Sequence, residues 1–139
     1  MVEPRVILFL GSDELAKAKK LEGLQSQLFP PDLKDLNYSV VYGDEKHLTA
    51  KELKEVLSCF VTQGAKKRLV VIKQAHKLSK VNYACLVQEL PKLQDSIMLV
   101  LDVPEVKGTE ALVAEMTKLG AQIVRFKSEI PLNIFDLGR

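Results

Sequence analysis

The chain has 139 residues, 47% of them hydrophobic and 27% charged, which suits one domain of about 100–150 residues and excludes wholesale disorder. Twenty basic residues against eighteen acidic give a net charge of +2, a balance that argues neither for nor against a nucleic-acid partner. The longest apolar run, Val6 to Leu10, is far too short to span a bilayer.

Strand and helix patterns alternate along the sequence. Arg5 to Leu10 is a solid apolar run, as expected of a strand covered on both faces. Gly11-Ser12-Asp13 turns into a helix, with Ser12 or Asp13 able to cap it. Its apolar residues Leu15, Ala18, Leu21 and Leu28 run up to the stop at Phe29-Pro30-Pro31. Tyr38 to Tyr42 reads as a second strand, and Thr49 with Glu52 forms a capping box. The helix it opens carries the stripe Leu53, Val56, Leu57, Phe60 and Val61 and is expected to end at Gly64. Basic Lys66-Lys67-Arg68 leads into the strand Leu69 to Ile72. A helix over Ser79 to Leu90, a strand over Ile97 to Leu101, a helix over Gly108 to Leu119 and a strand over Gln122 to Phe126 complete the order. Five apolar strands separated by helices predict a three-layer α/β domain, a mostly parallel sheet with helices on both faces.

Two cysteines, Cys59 and Cys85, and two histidines, His47 and His76, fit no zinc spacing, so no metal is expected. Glu3, Pro4 and Arg5 interrupt any export signal. A cytoplasmic protein with reduced thiols follows, needing no cofactor.

Ligands of parallel α/β sheets bind beyond the carboxyl ends of the strands. There, Gly11 to Ala18 partly matches the phosphate-binding pattern Gly-x4-Gly-Lys-Ser/Thr. Gly11 and Lys17 fit it, but Ala16 replaces the second glycine and Ala18 the magnesium-binding hydroxyl. Asp13 and Glu14 add negative charge where phosphate oxygens would sit. The central strand ends in Lys73-Gln74 instead of a magnesium-binding carboxylate. With two magnesium ligands lost, no ATP hydrolysis is expected. Asp102 lies where a catalytic carboxylate could, though a lone Asp there is more often a loop or helix cap. His76, between basic neighbours, reads as a solvated polar residue and Cys85 as a small core residue.

These blocks resemble the delta subunit of the bacterial DNA polymerase III clamp loader. The resemblance rests on Val6-Ile-Leu-Phe-Leu-Gly-Ser-Asp-Glu-Leu15, Leu28-Phe-Pro-Pro31, Tyr38-Ser-Val-Val-Tyr-Gly-Asp44, Lys67 to Leu78, Ile97 to Leu101 and Gly120 to Val124. It implies an AAA+ fold over residues 1–127 with a degenerate nucleotide site at Gly11, Ala16, Lys17, Ala18, Lys73 and Gln74. It also implies that 128–139, with apolar Ile130, Leu132, Ile134, Phe135 and Leu137, begins a connection to a missing helical domain. The implied partners are the sliding clamp (the beta subunit), the gamma/tau and delta prime subunits through C-terminal domains, and primed DNA.

In that family a hydrophobic plug near the end of the helix before the central strand contacts the clamp. The matching stretch supplies Leu57, Cys59, Phe60, Val61 and Gln63, with Phe60 in the place of the plug phenylalanine. By spacing alone, Phe60 continues the apolar stripe and belongs in the core; with the resemblance included, it is the plug. The alternatives are a nucleotide-binding enzyme or switch using the strand-end loops, and a purely structural assembly domain. The basic residues Lys66, Lys67, Arg68, Lys73, Lys77 and Lys80 have no interleaved stacking aromatics and read as a solvated face.

Overall fold

A computed structural model describes residues 5–104 and 109–126. Five strands, β1 (Val6–Gly11), β2 (Tyr38–Tyr42), β3 (Arg68–Lys73), β4 (Ile97–Val103) and β5 (Gln122–Phe126), form one sheet in the order β2-β3-β4-β1-β5. Every pairing is parallel. The helices are α1 (Glu14–Leu28), α2 (Lys34–Asn37), α3 (Ala50–Ser58), α4 (Lys80–Glu89) and α5 (Glu110–Lys118). Gly108 and the segment 128–139 lie outside the described residues.

Handedness distributes the helices. From β1 the chain steps over two strands to β2, whereas the steps β2 to β3, β3 to β4 and β4 to β5 all run the other way. Right-handed crossovers therefore put α1 on one face and α3, α4 and α5 on the other. The core follows the two-residue period of the strands. Ile7, Phe9, Leu69, Val71, Met98 and Val100 pack with Leu21, Leu24 and Leu28 of α1. Val6, Leu8, Val70, Ile72 and Leu99 pack with Leu53 and Leu57 of α3, Leu86 of α4 and Met116 of α5.

Caps fix the helix starts. The Asp13 carboxylate accepts from the Ala16 N–H at 3.0 Å, the Thr49 hydroxyl from Glu52 at 3.1 Å, and the Ser79 hydroxyl from Asn82 at 3.1 Å. Two stripes differ from the sequence reading. On α1 the buried positions are Lys17, Leu21, Leu24 and Leu28, spaced four, three and four apart. Leu15 falls off that face and is 69% exposed, and Ala18 is exposed too. On α3 the helix ends at Ser58, well short of Gly64, and side chains satisfy two of its last carbonyls. The Ser58 hydroxyl donates to Lys54 O at 2.8 Å and the Cys59 thiol to Glu55 O at 3.1 Å. Cys59 itself is extended, with φ −67° and ψ 144°. The sequence reading also assigned no element to the single 3-10 turn Pro31–Leu33 and the short α2 that follow the proline stop.

Candidate functional site

Order reversal between β1 and β4 places the ligand crevice of such a sheet at their carboxyl ends. A cavity of about 290 Å3 opens there, lined by Glu14, Lys17, Lys73, Gln74 and Asp102 among others. Lys17, Lys73 and Gln74 meet in this lining, which does not include Gly11, and Lys17 is already paired within the protein. Lys17 is 2% exposed. Its Nζ donates to Asp102 Oδ1 at 2.7 Å, to Glu14 Oε2 at 3.2 Å and to Val103 O at 3.5 Å. An ammonium has three protons, and here each has a protein acceptor.

Part of the backbone around the loop is committed as well. Asp13 N donates to Phe126 O and Lys17 N to Asp13 O, both at 3.1 Å, while Ala16 N donates to the Asp13 side chain. An anion at a helix N-terminus needs such groups free. Gly11 also has a structural reason to be glycine. Its φ is +141°, and a Cβ there would lie 2.0 Å from Phe126 O on the neighbouring strand.

Asp102 sits within β4, in register with Phe9 on one side and Lys73 on the other. It is the buried counterion of Lys17, and among the described residues it caps no helix. Gln74 leaves β3 in the left-handed region, with φ 54° and ψ 43°. His76 is half-buried with Nδ1 shielded from solvent, which corrects the expectation of a solvated residue. Burial, and then Lys77, push its pKa down against the opposing pull of Asp44 and Asp102. Cys85 is half-buried against the core, and burial raises its thiol pKa. Tyr83 bonds Glu115 across the α4–α5 side, and burial, followed by that bond, raises its phenol pKa.

The basic residues form no single face. Arg68 is buried, with Nη1 donating to Leu36 O at 2.7 Å and Nη2 to the Ser39 hydroxyl. Lys73 stands at the opposite end of the same strand, in the cavity lining. Lys66, Lys77 and Lys80 remain exposed.

The connection after α3 behaves in the opposite way from the crevice. Leu57 is 3% exposed and belongs to the core, so it anchors α3 and offers no contact surface. Phe60, expected in the core from spacing alone, is 78% exposed because the helix has ended before it. Cys59 and Gln63 are exposed beside it, and Val61 is half-buried. Asn37, which the sequence reading passed over, is completely buried and holds this connection at Thr62. Nothing in its local sequence signals that contact, which spans 25 positions.

A five-stranded parallel sheet in this order, with the strand-end lysine paired to its own carboxylates and an apolar residue displayed on a separate connection, defines the class of α/β domain. The fold is shared with the Bacillus subtilis DNA clamp loader delta protein (YqeN), at TM-score 0.73 and 17% identity over 91% of this chain and 39% of that one. A DNA polymerase III gamma subunit-related protein from Thermotoga maritima matches at TM-score 0.62 and 15% identity, over 98% of this chain and 45% of that one. The chain thus spans about two fifths of the solved structures it resembles. No curated protein matches. The family model described as DNA polymerase III, delta subunit, matches residues 7–127, and the chain belongs to that family. Among the described residues no helix is long and apolar enough to cross a membrane.

Proposed function

We propose that this chain is the clamp-contacting domain of a clamp-loader delta subunit, gripping the sliding clamp through Phe60 and helping to open the ring without hydrolysing ATP. The observation that carries the reading is Phe60 itself, 78% exposed immediately beyond the last turn of α3. A phenylalanine moved from water into a partner's pocket gains about 1.5–3 kcal/mol from burial. Cys59, Val61 and Gln63 flank it as the rest of the contact, with Leu57 holding the helix behind them.

The crevice supports the absence of hydrolysis. Lys17 is neutralised by Asp102 and Glu14, Ala18 brings no hydroxyl to hold magnesium, and Lys73 brings a cation where a metal needs a carboxylate. The ATP-driven work then falls to the partner motor subunits, and the contacts with gamma/tau and delta prime are made mainly through other domains of the subunit. The assembly works on primed DNA in the cytoplasm. Saturable binding of the folded chain to its cognate sliding clamp on a biosensor supports this reading. A folded chain that does not bind the clamp refutes it for this domain.

A further inference from the structure

We propose that Asn37 is the positioning residue for the Phe60 contact, an inference that rests on the clamp-contact reading. Phe60 is too exposed to be held by its own packing, and the residues from Cys59 to Lys67 form no helix or strand. A contact residue on a freely moving connection loses affinity to the ordering it undergoes on binding, and fixing the connection beforehand recovers that loss.

Asn37 supplies the fixing point. It is the last residue of α2 and fully buried. Its Oδ1 accepts from Thr62 N at 3.0 Å, and its Nδ2 donates to Thr62 Oγ1 at 2.6 Å and to Leu33 O at 3.0 Å. Two of these three bonds converge on Thr62, two residues beyond Phe60. Ser58, two residues before it, is the last residue of α3. Phe60 therefore sits at the middle of a short span held at both ends.

Further along, Lys66 N donates to Leu28 O at 2.7 Å. Gly64 turns with φ +97°, where an added Cβ would meet Leu33 Cδ1 at 3.0 Å. Asn37 is tied to the sheet in its turn, because the buried Arg68 bonds Leu36 O and the Ser39 hydroxyl from the start of β3. A chain of side chains runs from the central sheet through α2 to the contact.

The experiment is a double-mutant cycle in affinity for the cognate sliding clamp, using the chain with Asn37→Ala, Phe60→Ala and both together. Circular dichroism and urea unfolding are measured on each. Asn37→Ala is expected to weaken binding about three- to tenfold through faster dissociation, and to have no further effect once Phe60 is gone. Thr62→Val removes one bond only and is expected to show a smaller loss with the same dependence on Phe60; it carries the comparison if Asn37→Ala does not fold.

Wild-type affinity in folded Asn37→Ala, or in Thr62→Val where that variant carries the comparison, overturns the proposal. So does an equal loss with and without Phe60, which would mark a general effect on the fold. If Phe60→Ala itself leaves affinity unchanged, the clamp-contact reading falls and the inference falls with it. A loss on Phe60→Ala alone removes only the inference.

Discussion

The crevice at the strand ends and the connection after α3 handle their binding chemistry in opposite ways. At the crevice, Lys17 is answered from within the protein by Asp102, Glu14 and Val103 O, and the N–H groups of Asp13, Ala16 and Lys17 are bonded to Phe126 O and Asp13. After α3 nothing answers Phe60, and the polar bonds of Asn37 hold the backbone while leaving the ring in water. Leu57 and Phe60, three positions apart, make the same point within one segment. The first is core and the second is surface, and the difference is a helix end between them. Capacity to bind lies in groups left unsatisfied, and residue identity alone does not reveal which those are.

That contrast can be broken most severely at the crevice. Asp102→Ala leaves Lys17 buried without its main counterion and is expected to cost about 3–5 kcal/mol in urea unfolding. Replacing both partners with apolar residues should recover most of that loss, since two buried charges then disappear together. Leu57→Ala comes next, at about 2–5 kcal/mol for a core cavity, in keeping with its place beneath α3.

A smaller effect belongs to His76. Its folded pKa is lowered from the ordinary 6.5 by burial, so the unfolded chain takes up its proton first as the solution is acidified. Its contribution to stability is complete above about pH 6.5 and declines as pH falls through 6.5 toward the folded value. Thermal unfolding from pH 7.5 to 5.5 should show that decline, and His76→Gln should flatten it. Smallest of all, Phe60→Ala should shift stability by no more than about 0.5 kcal/mol, as an exposed side chain does.

Much of this was legible in the residues. Tyr38–Tyr42 and Gln122–Phe126 are the strands their patterns predicted, and Thr49 caps the helix its capping box announced. These signals are local. The end of α3 was not legible, because the apolar stripe continues to Phe60 and Val61 while the backbone already turns extended at Cys59. Ala16 and Ala18 stand in the sequence where the phosphate-binding pattern has other residues, but the pairing of Lys17 was not legible, since Lys17 and Asp102 are 85 positions apart. Arg68 likewise read as one more solvated cation, and only the approach of α2 turned it into a buried brace. Bonds between distant segments carry no periodicity for a sequence reading to detect.

The central claim is that Phe60 is displayed for the sliding clamp, and the most direct measurement is the clamp affinity of the wild-type chain beside Phe60→Ala, with unfolding curves for both. Binding weakened about tenfold to a hundredfold, with an unfolding midpoint close to that of the wild type, is the predicted result. Equal affinity in two equally folded proteins would contradict it.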